Sequence, residues 1–198
     1  MVEHGRGGSA TPLVAQEDPG GGRGASGMVL AIEDMLLLLA TLGSGMLAGL
    51  YFIFSICVMP ALNLQSAGTA ITVMNSINVV IINPWFMAVY MGTPIVVLCL
   101  AVRALRENLP LLDGSATRTS IAAIVVASIF LLGGEFGVTT AINVPLNNDL
   151  AAYDLSKHAE AANQEEWANY FQKWTFWNTL RGINSAIASV LFAYALRG

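Results

Sequence analysis

Met35-Leu-Leu-Leu-Leu-Ala-Thr-Leu-Gly-Ser-Gly-Met-Leu-Ala-Gly-Leu-Tyr-Phe-Ile-Phe-Ser-Ile-Cys-Val-Met59 contains no charged residue. A bilayer's hydrocarbon core is about 30 Å thick, and a helix needs roughly 20 mostly apolar residues to cross it. This stretch is long enough. Three more of the same kind follow, at about Pro84 to Leu105, Thr119 to Ile142 and Trp174 to Leu196. The expected fold is therefore all-α: a polytopic membrane protein with a bundle of four transmembrane helices. Each polar residue inside those stretches then needs a physical reason to be there.

Composition agrees with that class. The chain has 198 residues, 55% hydrophobic and 11% charged, with a mean hydropathy of +0.62. Soluble domains carry about 25% charged residues. The nine Lys and Arg are scattered, which gives no basic cluster for nucleic acid. Cys57 and Cys99 both fall in apolar runs and read as small packing residues. Without a CxxC or a His cluster the sequence offers no metal site. It also has no Gly-rich phosphate loop and no GxSxG.

Residues 1–27 differ from the rest. Eight glycines, including the run Gly20-Gly21-Gly22, and few large apolar side chains predict a disordered tail. Glu17 and Asp18 stand where a signal peptide would carry positive charge. Met28 is a second candidate start, leading almost directly into the first span. The folded domain is expected over 28–198.

Four spans place both termini and the loop between spans 2 and 3 on one side. That side carries Arg6, Arg23, Arg103, Arg106, Arg118 and Arg197, against Lys157 and Lys173 on the other. The bias predicts cytoplasmic termini. Between spans 1 and 2, Ala61 to Asn83 is uncharged and apolar, which suits a short helix lying in the membrane interface. Between spans 3 and 4, apolar residues from Ala151 to Trp167 recur at spacings near three and four. That spacing predicts an external loop helix over the outer end of the bundle. Gly45 and Gly49 form a GxxxG pair, suited to close packing within the chain or to a homodimer. Pro94 is expected to kink span 2.

Two ionisable groups are embedded. Glu135 lies seven residues before the outer end of span 3, and Arg181 seven residues after the outer start of span 4. At about 1.5 Å per residue both lie about 10 Å deep, a matching depth at which they could pair. Trp174, Trp177, Asn178 and Arg181 are spaced to share a helix face, with Ser185 one turn further. Across from them, Pro145 in Asn143-Val-Pro-Leu-Asn147 is expected to end span 3. The approach to span 2 adds Asn78 and Asn83-Pro84-Trp85. Tryptophans at an interface are commonly anchors, but anchoring does not explain the Asn, Arg and Glu beside them. An apolar pocket with a few converging polar groups is the usual form of a small-molecule site. His158, in the outer loop, is a further candidate proton acceptor.

These segments together resemble the four-helix membrane family that includes the fungal anthrone oxygenases. The resemblance is carried by Gly45 to Ser55 with Val58-Met-Pro-Ala-Leu62, and by Met74 to Asn78 leading to Asn83-Pro-Trp-Phe86. Asn143 to Asn147 and Trp174 with Trp177-Asn-Thr-Leu-Arg181 complete it. It spans about residues 40 to 190. It implies four membrane helices and oxidation of an anthrone by O₂ without an evident cofactor. In that reading Arg181, Asn143, Asn147 and Asn178 stabilise an oxyanion, and Glu135 or His158 is the base. Trp174, Trp177 and Trp85, with Asn78 and Asn83, would line an aromatic substrate's site. The alternative from another class is a non-enzymatic membrane binding or assembly subunit, in which Glu135 and Arg181 only hold two helices together. A transporter is disfavoured, because no internal repeat is visible.

Overall fold

A computed structural model describes residues 21–108 and 115–197. Residues 1–20 of the expected tail, residues 109–114 and the side chains of Arg23 and Arg118 lie outside the described ones. The described residues form helices and connecting turns, with no strand among them.

The first helix, α1 (Gly21–Ile53), widens into a π-helical segment (Phe54–Val58) and ends in the short α2 (Met59–Asn63). A turn leads to α3 (Ala67–Val80), whose first turn is capped by Ser66 accepting from Thr69 N at 3.3 Å. This is the helix expected in the uncharged connection. Asn83 then starts α4 (Pro84–Asn108). Its Oδ1 accepts from Trp85 N and Phe86 N, both at 3.1 Å, satisfying two amides that a helix start leaves free. Pro94 sits inside α4 as expected. Next come α5 (Ser115–Ser128), two π-helical segments (Ile129–Gly137 and Thr139–Asn143) and α6 (Val144–Ala152). A short connection leads to α7 (Glu160–Ala195).

Three helical stretches are long and apolar enough to cross a membrane: Ala31–Asn63, Pro84–Arg106 and Ser120–Ala152. The fourth expected span lies within α7, a 36-residue helix. It has the length but not the same apolarity, because Asn178, Arg181 and Asn184 interrupt it.

The third span differs from expectation at its outer end. Pro145 does not stop it. Proline is tolerated in a helix's first turn, where its missing N–H costs nothing. Here Pro145 falls in the first turn of α6, directly after a π-helical turn in which Val144 N bonds back to Thr139 O. The helical character expected of the outer loop is divided among the end of α6, a single 3-10 turn (Leu155–Lys157) and the start of α7 rather than forming one continuous helix. Asp154 shapes the connection. Its carboxylate accepts from Ser156 Oγ at 2.7 Å and Ser156 N at 3.0 Å and pairs with Lys157 at 2.9 Å. These contacts, the Ser156 hydroxyl first, hold its carboxyl below the ordinary carboxylate range.

The four long helices pack in a ring: α1 on α7 and α4, α5 on α4 and α7. Small residues set the approach. A Cβ on Gly43 would overlap the side chain of Thr93, and one on Gly182 would lie 3.3 Å from Tyr51 Cβ. Gly45 faces Ser189 of α7, whereas nothing lies within 4 Å of where a Gly49 Cβ would be. One apolar cluster, including Leu37, Val97, Ile124 and Phe192, fills one end of the bundle. Another, with Met59, Ile71, Met74, Leu150 and Trp167, joins α3 and α6 to the start of α7. Cys57 and Cys99 are exposed on the bundle's outer face rather than packed in its core.

Candidate functional site

Between the two apolar clusters lies a layer of buried polar side chains: Glu135, Thr139, Asn143, Asn178 and Arg181. It sits where π-helical turns interrupt the α-helices, a deviation that recurs at functional sites. Glu135 belongs to the Ile129–Gly137 segment, Thr139 and Asn143 to the next, and Tyr51 lies just before Phe54–Val58.

Arg181 is the hub. Its Nη2 donates to Asn178 Oδ1 at 2.7 Å and its Nη1 to Thr139 Oγ1 at 3.0 Å. The guanidinium lies 4.4 Å over the Tyr51 ring and 5.6 Å from that of Trp174, the arrangement of a cation–π contact. Asn178 in turn donates to Tyr51 O at 2.7 Å and to Ser55 Oγ at 2.8 Å, tying α7 to the widened part of the first span.

Glu135 and Arg181, which matching depth would allow to pair, do not form a direct ion pair. Two side chains stand between them. Tyr51 Oη donates to Glu135 Oε1 at 2.5 Å. Thr139, which accepts from Arg181, donates its own hydroxyl to the Glu135 carbonyl at 2.8 Å and holds it 3.3 Å from Oε1. Glu135 Oε2 and Arg181 Nε have no hydrogen-bond partner among the described residues.

Beside this network opens a cavity of about 240 Å³. Its walls are mainly apolar and aromatic: Leu50, Phe54, Ile77, Ile81, Phe86, Met87, Tyr90 and Trp174, with Tyr51 at its polar side. Phe54 packs on Trp174 with ring centroids 5.8 Å apart, and Phe86 stacks on Tyr90 at 5.3 Å. Polar atoms enter from Asn78, Thr139, Asn143, Asn147, Asn178 and Arg181. Asn147 is fixed by two donors, Trp174 Nε1 at 2.8 Å and Tyr170 Oη at 2.9 Å. Asn143 donates to Trp174 O at 3.4 Å, and its Oδ1 has no partner among the described residues.

Of the residues singled out in the sequence, Asn78, Asn143, Asn147, Trp174, Asn178 and Arg181 line this one cavity. Glu135 is fully buried directly behind its Tyr51 wall. Four others lie elsewhere. Asn83 is occupied as the α4 cap. Trp85 is 86% exposed, since it follows that cap on the outer face. Trp177 packs edge-on against Phe176, one position round the helix from Asn178. His158 is exposed in the connection and stacks on Tyr153, with centroids 4.7 Å apart. The residues missed are Tyr51, Tyr90 and Thr139. Tyr51 carried a usable signal: it falls at the spacing of Ser44 and Ala48, the small-residue face of span 1. Among the described residues, no three His, Cys, Asp or Glu converge to hold a metal ion.

The fold and cavity define an all-helical protein with membrane-length helices and a buried site joining aromatic walls to a guanidinium. A sequence model of the anthrone oxygenase family matches residues 86–191, just over half of the 198. The chain belongs to that family. The match includes nearly all of α4 and α7 and both later π-helical segments, hence all five side chains of the polar layer, while Tyr51 and Asn78 of the cavity lie before it. No curated protein and no solved structure matches the chain.

Proposed function

We propose that the protein is a membrane oxygenase that oxidises an aromatic, lipid-soluble substrate with O₂, drawing no electrons from a cofactor. The observation that carries the reading is a guanidinium facing an aromatic-walled cavity with most of its donors free. Arg181 has five N–H donors and its two hydrogen bonds within the chain use two of them. In an anthrone, a ring CH₂ lies opposite a carbonyl. Loss of one CH₂ proton leaves an enolate whose negative charge rests largely on the former carbonyl oxygen. Arg181, with Asn178 orienting it, stabilises that oxyanion in a water-poor setting where such donors act strongly. Asn78, Asn143 and Asn147 orient the ring's polar substituents.

The electron count closes. The enolate is electron-rich enough to reduce O₂ directly. Ring CH₂ plus O₂ gives ring C=O plus H₂O, with one oxygen atom in the product and one in water. The substrate supplies all four electrons.

The proposal includes α7 as a fourth span and termini in the cytoplasm, in keeping with the arginine bias. A reporter fused at Gly198 tests the orientation.

The deciding experiment is O₂ uptake by the purified protein in detergent with emodin anthrone, using Arg181→Gln as control, since anthrones also oxidise unaided. Uptake above the control supports the reading. Equal uptake by a folded wild type and a folded variant overturns it and favours a binding or assembly role for the polar layer.

A further inference from the structure

The cavity offers an oxyanion a guanidinium and amides, but its lining holds no carboxylate or imidazole to receive the proton. Glu135 is 0% exposed and does not line the cavity. His158 is remote from it. The group standing between the cavity and the Glu135 carboxylate is Tyr51. It lines the cavity, its hydroxyl donates to Glu135 Oε1 at 2.5 Å, and its ring carries the Arg181 guanidinium on one face.

We propose that Tyr51 is the acid–base group that touches the substrate and that Glu135 is the positioning residue behind it, taking the proton that Tyr51 passes on. As the substrate C–H bond breaks, its proton goes to the Tyr51 oxygen while the Tyr51 proton goes to Glu135 Oε1. The C–H electron pair stays on the substrate as the enolate. No electron leaves the substrate in this step, and O₂ acts only afterwards. The inference rests on the cavity being a site for an enolisable aromatic.

Charge conservation supports this route. The route takes Glu135 as ionised before the step, so that the layer then holds one guanidinium and one carboxylate. After it, the layer holds the same guanidinium beside the enolate, and Glu135 is neutral. The negative charge moves from behind Tyr51 to in front of it without any change in net charge. Creating an extra charge in a low-dielectric interior is far costlier than moving one. The bridging arrangement is what permits it. A carboxylate paired directly with Arg181 would hold the donors the enolate needs.

The test uses the full-length protein in detergent and a hydroxyanthraquinone, emodin, whose visible band shifts to the red when a phenol ionises. The pH is set so that the free dye is neutral. Tryptophan quenching reports binding, and the visible spectrum reports ionisation of the bound dye. The expected result is ionised dye on the wild type, bound but neutral dye on Tyr51→Phe and Glu135→Gln, and ionised dye again on Glu135→Asp. A purely structural Glu135 would alter affinity or yield and leave the ionised fraction of bound dye unchanged. Ionised dye on both folded variants overturns the relay. Neutral dye on the wild type overturns it too, while the cavity assignment stands. Failure of the wild type to bind the dye overturns the cavity assignment and the relay together. If Tyr51→Phe does not accumulate, Glu135→Gln decides alone, because it leaves the cavity wall in place.

Discussion

Replacing Asn178 with Ala should be among the most damaging single changes in the protein. The side chain is fully buried and makes three hydrogen bonds: from Arg181 Nη2 at 2.7 Å, to Tyr51 O at 2.7 Å and to Ser55 Oγ at 2.8 Å. A hydrogen bond to a charged group contributes about 1.5–3 kcal/mol, a neutral one about 0.5–1.5 kcal/mol, and a buried group left without a partner costs about 1–3 kcal/mol. Losing all three therefore costs roughly 3–6 kcal/mol, as an upper figure, since bonds sharing one side chain do not add independently. Against a typical stability of about 5–15 kcal/mol, that is a large fraction. Asn178→Asp keeps the acceptor for Arg181 but turns the Tyr51 carbonyl towards another oxygen, so it should be similarly harmful. The assay is reversible unfolding by SDS in mixed micelles, followed by tryptophan fluorescence. Ile183→Ala serves as control, because Ile183 is 52% exposed on the same helix. A loss for Asn178→Ala below about 1 kcal/mol, the scale of one ordinary hydrogen bond, would refute its role as a hub.

Arg181→Lys keeps the charge but cannot hold Thr139 and Asn178 in one planar fork while lying flat on Tyr51. Losing one charge-assisted bond, about 1.5–3 kcal/mol, should lower kcat/KM for the anthrone by roughly 10- to 100-fold, and unchanged kinetics would contradict the placement. Gly43→Ala places a methyl on Thr93 and should destabilise by about 1–3 kcal/mol in the same SDS titration. Adding Thr93→Ala should recover part of that loss, and the absence of recovery would mean that the α1–α4 contact is not what glycine serves there. His158→Ala should leave O₂ uptake and emodin affinity unchanged, and a clear fall in either would return the outer connection to the site.

The sequence made the membrane-length helices legible because bilayer thickness imposes a minimum apolar length that needs no partner to be recognised. It also made the polar layer legible in part. Glu135 and Arg181 lay at matching depth, and asparagines in apolar helices are costly enough to need explanation. Three features were hidden for physical reasons. Tyr90 belongs to a residue type that commonly serves membrane interfaces, and Tyr51, whose spacing from Ser44 and Ala48 marks only its helix face, is packed inward against Gly182, a neighbour that only the packing reveals. The π-helical turns have no sequence period of their own. They moved Pro145 into a helix's first turn and carried the third span ten residues past Ile142 to Ala152. The polar start of α7, with Glu165 and Glu166, read as a separate loop helix rather than the first turns of the fourth span, because hydropathy records solvation rather than helix continuity. Asn83, Trp85 and Trp177 showed the converse. Residue types suited to a site were used for capping or faced outward, which residue type alone does not distinguish.

The indirect link between Glu135 and Arg181 bears on why the layer is built with two charges. A direct bidentate pair would neutralise both groups, and breaking either half of a buried pair is strongly destabilising. Such a pair locks helices but leaves little for chemistry, since the guanidinium's fork is already filled. Inserting Tyr51 and Thr139 keeps opposite charges near one another in the same buried layer. Among the described residues, Arg181 retains three N–H donors and Glu135 an oxygen without a partner. Those free valences have a price in stability, offset by the cation–π face of Tyr51 and by the bonds from Asn178. A layer selected for stability alone would not need them. The position of Arg181 at a cavity rather than at a sealed helix contact therefore favours a ligand as the partner of its free donors, and it predicts that emodin binding raises the SDS midpoint of the wild type more than that of Arg181→Gln.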